Sequence, residues 1–437
     1  MRKIILSICL CLVAIAASAQ TITASTGGKL YTGFTGVDYV FICNDITTSE
    51  ITYNDASVDP TINKIEWYKY KEGAINPTPQ TGVKSISPDG DTGYILKVDD
   101  KQIATIWVVD YKPATLTSIE PENDLENQCK TVNLLIAATV PELTYQTPTS
   151  ATLIPIQRNF TIEYTTLKWD DTSSKWENQT KDTTITISPS ATLPILVSVP
   201  SPYCTTTFTL SGDQYAEALG ITSYSITSSS YTPSAVICHL TSIVTTRDVK
   251  NEADEPKTAT TVSGSAPLPM QFFANGNEPI PLNYRWEIFN GSAITPFVDR
   301  SGTESNKNTT YTFSEAGTYK VKITVSNTYG CSYSDSITVT VDESEIQVPN
   351  VFTPNGDGYN DEFRVAYKSI IKYEIWVYSR WGRLVYNSTN PQKGWDGNIN
   401  GKKAAEGAYF YIIKAVGSDA KKYKLKGDIN LLRGKDN

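Results

Sequence analysis

Apolar and polar positions alternate with period two along most of this chain. The runs are short, which predicts strands rather than helices. VDYVFICND, INKIEWYKYKEG, TGYILKVDD and KQIATIWVVDYKP come first, separated by clusters of Pro, Gly, Asn and Asp. In IEWYKY, Ile65, Trp67 and Lys69 fall on one face, with Glu66, Tyr68 and Tyr70 on the other. Asp99-Asp100-Lys101 marks a hairpin turn. CKTVNLLIAATV is strongly apolar, and NFTIEYTTLKWDD and WENQTKDTTITISPS flank TSSK as a long hairpin. DQYAEALG, ending at Gly220, predicts a single helical turn. Later, Gly317 turns into a strand that points Tyr319, Val321, Ile323 and Val325 inward. KYEIWVYS sets Tyr373, Ile375 and Val377 against Glu374, Trp376 and Tyr378. Both of its faces are partly apolar, as in a sheet packed on one side and capped on the other.

Two charged stretches interrupt the alternation and read as linkers, residues 113–128 (Glu120, Glu122, Asp124, Glu126) and 247–257 (RDVKNEADEPK); residues 342–347 form a short acidic joint. The chain begins MRKIILSICLCLVAIAASAQ, with basic Arg2 and Lys3, an apolar core, and Ala17-Ser18-Ala19 before Gln20. That is the pattern of a secretory signal peptide. Its apolar run is short for a spanning helix, which needs about 20 residues. The expected divisions are a signal peptide (1–19), an immunoglobulin-like β-domain (20–115), a second β-sandwich (116–246), a third domain (247–342) and a terminal module (343–437). The mature chain is expected to be exported and soluble.

Composition supports an extracellular β-protein: 26 Tyr, 26 Gly and 23 Pro, against 2 Met and 1 His. The single histidine, His239, lies in the strand-like run SAVICHLTSIV and reads as a strand residue; it is also the one histidine open to triad, zinc or general-base chemistry. The net charge of −8 is uneven. Residues 343–437 hold 15 Lys+Arg and 11 Asp+Glu, a balance of +4, so the preceding residues carry −12. Dispersed basic residues in an acidic chain argue against a nucleic-acid partner. Once the leader is removed, Cys43, Cys129, Cys204, Cys238 and Cys331 remain. In an exported chain they oxidise where geometry permits. Five cysteines allow at most two bridges, and order along the chain suggests Cys43 with Cys129 and Cys204 with Cys238. Their spacing holds no metal-ligand pattern, and no cofactor is expected.

Three resemblances add to this. Trp67 in its strand resembles the buried tryptophan of immunoglobulin-like sandwiches. SAPLPMQF, NYRWEI with Trp286, and YTFSEAGTYKVKITVSNTYGC resemble the PKD-like family of extracellular β-sandwiches, which act as spacers or binding modules. A cysteine often found near that family's first strand is absent, so Cys331 is expected to lack an intradomain partner.

The terminal module opens with VPNVFTPNGDGYNDEF (residues 348–363) and continues with KYEIWVYSRWGRLVY, GWDGNINGKKAAEGAYFYIIKA and KLKGDINLLR. These resemble the gliding-motility-associated C-terminal domain, the type B sorting signal of the Bacteroidetes type IX secretion system. The resemblance implies type IX machinery as partner and a route through the periplasm and outer membrane to the cell surface or exterior. Its motif falls on Pro349, Asn350, Phe352, Thr353, Pro354, Asn355, Gly356, Asp357, Gly358, Asn360 and Asp361, on Trp381 and Gly382, on Trp395, Asp396 and Gly397, and on Gly407 and Tyr409.

Asn355, Asp357 and Asp361 also offer calcium-type oxygens. The D-x-D-x-D-G pattern is not met, and a turn held by Asx hydrogen bonds is the preferred reading. The whole reads as an all-β protein of tandem immunoglobulin/PKD-like sandwiches and a sorting domain. Its function is expected to be non-enzymatic, as an adhesin or structural protein with a protein or glycan ligand. The alternative is a carbohydrate-binding or carboxylate-based glycan-active protein, for which Asp170-Asp171 and Glu252-Asp254-Glu255 are the dense acidic clusters of the body.

Overall fold

The computed structural model describes residues 22–25, 27–122, 128–188, 194–221, 225–278, 280, 282–302 and 306–433; the signal peptide read in residues 1–19 lies outside them. The described chain is built from strands, with one short α-helix at Gln214–Ala218. Four β modules follow one another. In the first, Ile22–Ala24, Ile51–Tyr53 and Ser85–Ile86 form one sheet. The facing sheet runs Gly28–Tyr31, Tyr39–Cys43, Lys101–Asp110, Thr92–Val98, Ile65–Lys71 and Ala74–Ile75, with Tyr39–Cys43 parallel to Lys101–Asp110. Trp67 is buried between them with Ile22, Phe41, Leu96 and Ile106, and its indole N–H donates to Val83 O at 3.1 Å. Asp99 and Asp100 both take positive φ at the hairpin expected there.

The second module pairs Thr115–Glu122, Thr131–Thr139 and Ile195–Pro200 against a sheet of Lys175–Thr186, Asn159–Asp170, Phe208–Gly212 and Ser225–Thr227. Residues 113–128 are therefore not simply a linker. Thr115–Glu122 is a strand whose Ile119 is buried, and its acidic residues Glu120 and Glu122 occupy the solvent-facing positions of the alternation. In the third module, Leu268–Gly276, Asn283–Asn290 and Gly317–Ser326 bury Phe272, Trp286, Val321, Ile323 and Val325. The fourth has a five-stranded sheet in the order Val351–Phe352, Lys422–Leu431, Gly407–Gly417, Ile370–Ser379, Leu384–Ser388.

Each junction between modules is packed. Modules one and two share a core in which Val40, Ile42, Tyr70 and Trp107 meet Leu143, Tyr145, Ile156 and Tyr215. Trp107 Nε1 donates to Thr144 O at 3.0 Å. At the end of this core lies an ion pair, Arg158 Nε on Asp213 Oδ2, with both side chains 0% exposed. Arg158 also donates to Pro141 O (2.8 Å) and Tyr111 OH (3.1 Å). Asp213 Oδ1 accepts from Tyr111 OH (2.9 Å) and caps the helix through the amides of Tyr215 and Ala216. Every charge-bearing atom of this pair is thus met, as a buried pair requires.

Modules two and three are joined by a disulfide between Cys129 and Cys331, 202 residues apart. The expected pairings of Cys43 with Cys129 and of Cys204 with Cys238 are corrected by it. Cys43, Cys204 and Cys238 are free thiols. Cys43 and Cys238 point into the cores of different modules, where sequence order could not bring either to its proposed partner. The hairpin of Asn159–Asp170 and Lys175–Thr186 also reaches across this junction. Trp176 Nε1 donates to Asn275 O (3.0 Å), and Trp169 stacks on His239 with ring centroids 4.4 Å apart.

Modules three and four meet through residues 247–257, the second stretch read as a linker. Ala253 N donates to Tyr367 O (2.7 Å), Tyr367 N to Asn251 O (3.0 Å), and Asn251 Nδ2 to Val365 O and Pro391 O. The charges that suggested a solvated linker are paired: Arg247 binds Glu252 at 2.6 Å and Lys368 binds Asp254 at 2.8 Å.

Candidate functional site

The C-terminal module carries the motif residues, and their placement divides them sharply. Phe352, Trp395 and Tyr409 are core residues whose rings touch, with Trp395 5.4 Å from Phe352 and 4.8 Å from Tyr409. The Trp395 indole N–H donates to Asn398 O at 2.9 Å, and the Tyr409 hydroxyl to Ala405 O at 2.8 Å. Both aromatic residues therefore bury their apolar bodies without orphaning their polar ends. Asp396 accepts from the amide and side chain of Asn398, which fixes the turn. Gly397 takes φ +74°, and a Cβ there would lie 2.9 Å from Pro354 Cγ, so glycine is needed on both counts.

The opening motif wraps around this core. Asn350 O accepts from Asn430 N, which lays Val351–Phe352 parallel to the end of Lys422–Leu431. Pro349 is half-buried beside it, and Thr353 N donates to Asn360 O at 2.8 Å, closing the loop that follows Pro354. Inside that loop, Asp361 accepts from Gly356 N (2.7 Å) and Gly358 N (2.8 Å), while Asp357 accepts from Tyr359 N (2.7 Å) and from the Asn355 side chain (2.9 Å). Those bonds hold the Asp357 carboxyl below its ordinary pKa, the Asn355 side chain contributing most. Asn355, Asp357 and Asp361, the calcium candidates, thus serve as acceptors for the turn's own N–H groups. Among the described residues no group of three or more His, Cys, Asp or Glu is placed to hold a metal ion.

Sequence reasoning missed one residue of this core. Arg433 donates from Nη2 to Gly397 O (2.8 Å) and Ala404 O (3.3 Å), and from Nη1 to Pro354 O (3.2 Å). It ties the opening motif, the WDG turn and the final strand together. A lone arginine after a strand gives no pattern that would single it out.

The remaining motif aromatic behaves differently. The Ser379 and Arg383 backbones close a hairpin over Arg380-Trp381-Gly382, with Gly382 at φ +79°. Trp381 at its tip is 83% exposed, its ring covered only by the Arg380 guanidinium at 5.1 Å. Beside it, the outward face of the five-stranded sheet is open. The capping layer expected from the two-sided pattern of KYEIWVYS does not lie over it: Trp376 and Tyr378 are half-buried, and Phe410 and Ile412 are exposed.

In the body, the acidic clusters have structural partners. Asp170 accepts from Thr172 N and Ser173 N in the hairpin turn. Glu252 accepts from Arg247 and Ser265 Oγ, and Glu255 from Val249 N. His239 lies in the strand Cys238–Val244 as expected, with Asp171 and Asp335 carboxylate oxygens 3.9 and 3.8 Å from its ring nitrogens. Burial pushes the Cys43 thiol up to about 11 and that of Cys238 up to about 12.

The expected boundary at 246/247 is corrected by the sheets, because Cys238–Val244 pairs with Leu268–Gly276 and packs in the third module's core. Three family models match parts of the chain. Residues 346–431 match the CHU_C type IX secretion signal domain, residues 258–341 the PKD domain, and residues 121–228 a fibronectin type III domain. The disulfide thus ties the fibronectin type III-like module to the PKD module. A search of curated proteins found no match. Among solved structures, the chain is similar to a tetra-tandem repeat in the extending region of a large adhesion protein (14% identity, 94% of this chain and 99% of that chain, TM-score 0.21). It is also similar to the FN1–FN3 domains of chicken CNTN1 (13%, 72% and 98%, 0.21) and to a Ca2+-stabilized ice-binding adhesin of an Antarctic bacterium (12%, 95% and 100%, 0.20). At TM-scores near 0.2 these likenesses bear on neither the arrangement of the modules nor their function. The secretion signal domain marks the chain for handling by type IX machinery and for export. No helix among the described residues is long and apolar enough to cross a membrane.

Proposed function

We propose that this is a non-enzymatic adhesin or structural protein of the cell surface or exterior, taken through the outer membrane by its C-terminal domain. Its three N-terminal modules act as one coupled body that presents a binding surface to a protein or glycan. The observation that carries this reading is that every junction is locked: a shared apolar core with a buried ion pair, then a disulfide, then backbone bonds between modules three and four. Domain interfaces within a chain ordinarily permit relative motion. Locking all of them suits a component that transmits load or holds a ligand away from its anchor. The acidic clusters that a carboxylate mechanism would use are engaged in a turn and in the junction of modules three and four.

Two measurements test the proposal. In the parent cell, the full chain should reach the surface or medium while a chain truncated after Asp342 stays in the periplasm. Surface delivery of the truncated chain would refute the role of the C-terminal domain. A glycan array probed with the full chain separates protein from glycan ligands for the body, and turnover of a bound glycan would overturn the non-enzymatic reading.

A further inference from the structure

We infer that the outward face of the five-stranded sheet in the C-terminal module is its docking surface, and that its partner is a protein surface presenting acidic side chains beside an apolar patch. This rests on the sorting role proposed above and adds to it where recognition occurs and by what chemistry.

Strand register builds the face row by row. Tyr378 lies opposite both Leu384 and Phe410, and Trp376 opposite Ile412, so these five side chains form one contiguous apolar half. Phe410, Leu384 and Ile412 are 48%, 46% and 42% exposed, although Phe410 and Ile412 sit in a strand whose buried face begins one residue away, at Tyr409 and Ile413. Toward the other end, Lys414 pairs with Lys424, Val416 with Lys372 and Lys422, and Ile412 with Lys426. Five lysines therefore share the second half with one carboxylate, Glu374, opposite Lys414. A cleft of about 440 Å³ opens there, lined by Lys372, Glu374, Lys414, Lys422 and Lys424.

The fold accounts for only part of this arrangement: the Lys414 ammonium lies 5.2 Å over the Trp376 ring and faces Glu374, and among the described residues the other four lysines have no such partner. Like charges directly opposite each other, as Lys414 and Lys424 are, destabilise a strand pair. Lysines do protect open edges, and Lys422–Leu431 is paired with Val351–Phe352 only at Asn430 and Leu431. Edge protection, however, calls for removing exposed apolar side chains, and here Ile412 stands opposite Lys426 with Phe410 in the next row of the same face. A contiguous exposed apolar patch marks an interaction surface. Its aromatic members, Trp376, Tyr378 and Phe410, are of the kinds enriched at protein interfaces. The flanking lysines set the sign of the partner, because complementary charge steers association and rejects wrong partners. A protein fits better than an anionic lipid surface. Glu374 sits among the lysines and Asp428 ends the Phe410 row, so the face carries a fixed pattern of both signs, whereas a lipid surface is uniformly negative.

The test uses the full chain in its parent cell. Lys414→Glu/Lys424→Glu reverses the basic half, Phe410→Ser/Ile412→Ser removes the apolar half, and Lys402→Glu/Lys403→Glu makes the same charge change on an exposed hairpin elsewhere in the module. Thermal unfolding of each purified variant verifies that it folds. Surface delivery should fall about tenfold or more in the two on-face variants and stay unchanged in the third. Normal delivery of both folded on-face variants, with the chain truncated after Asp342 retained, would leave the sorting role standing and overturn the assignment of this face. Delivery of the truncated chain would instead overturn the sorting role itself. Flotation of the wild-type chain with phosphatidylglycerol vesicles, lost in Lys414→Glu/Lys424→Glu, would reassign the face to lipid and refute a protein partner. If the serine variant does not fold, the charge-reversal pair decides alone, since Lys414 and Lys424 are both exposed and its thermal unfolding shows that it folds.

Discussion

Replacing Arg158 with Met offers the sharpest check on how modules one and two are held together. The substitution keeps an unbranched side chain of similar length in the shared core but leaves Asp213 buried without its cation. Asp213 would retain three donors, Tyr111 OH and the amides of Tyr215 and Ala216, and lose the charge-assisted bond from Arg158 Nε. Pro141 O and Tyr111 OH would each lose a donor. Removing one partner of a fully buried pair costs about 3–5 kcal/mol, because the remaining charge is left uncompensated. Asp213→Asn should cost a similar amount, this time by stranding the guanidinium. In the double variant no charge is left behind, so the total should be close to that of one single substitution, a coupling of about 2 kcal/mol or more. Hydrogen exchange on the full chain reads this locally, at the amides of Tyr215 and Ala216 and along residues 141–146. The expected signature is faster exchange there in each single variant, with the fourth module unaffected. Single costs below about 1 kcal/mol, or costs that merely add in the double variant, would refute the role given to this pair.

The other expectations concern the disulfide, the free thiols and the motif glycine. Cys129→Ser, Cys331→Ser and the double variant should each loosen the junction of modules two and three equally, by about 2–4 kcal/mol, read as faster exchange near both positions; a difference between the singles would point to a role beyond the bond. In the native chain, Cys43 and Cys238 should resist iodoacetamide at pH 8, because burial disfavours the thiolate, and labelling at the rate of the urea-unfolded chain would contradict their burial. The same shift predicts a pH effect. The folded Cys43 thiol keeps its proton from the ordinary value of 9.0 up to about 11, where the unfolded one has lost it, so its contribution is complete below 9.0 and disappears as pH rises through about 11. Urea titrations of the wild type and Cys43→Ala across that range should show the extra loss in the wild type alone. Gly397→Ala should lower the melting temperature of the C-terminal module, because a left-handed residue with a Cβ costs about 1–2 kcal/mol before any contact with Pro354; an unchanged melt would show that the turn relaxes freely.

Much of the architecture was legible because one face of each sheet is buried, which forces period-two alternation into the chain. The hairpin over Thr172–Ser174, the inward set Tyr319, Val321, Ile323 and Val325, and the helical turn before Gly220 could all be read in this way. Relations that depend on distance between modules left no such trace. Cys129 meets Cys331 because two sandwiches abut, and nothing in the order of five cysteines encodes that contact. The charged stretches misled for two reasons. In Thr115–Glu122 the acids are the exposed half of an ordinary strand, and in residues 247–257 they are neutralised by Arg247 and Lys368. Arg158 and Arg433 were missed because a lone arginine looks the same whether its guanidinium is solvated or is satisfying buried carbonyls.

The motif that names the C-terminal module is mostly a description of its fold. Phe352, Trp395 and Tyr409 pack together, Gly397 and Asp396 shape one turn, and Asn355, Asp357 and Asp361 stitch another. Of these, Phe352, Trp395 and Tyr409 cannot present themselves to a partner without opening the module, so recognition of the folded module must use what lies outside that core. There the structure offers the exposed loop around Asn355 and Asp357, Trp381 at its hairpin tip, and the half-apolar, half-basic sheet face beside it. It follows that loss of an inward motif residue should abolish delivery together with folding, whereas changes on the outer face should affect delivery alone. Separating those two outcomes distinguishes a signal read from its surface from one whose only requirement is to be folded.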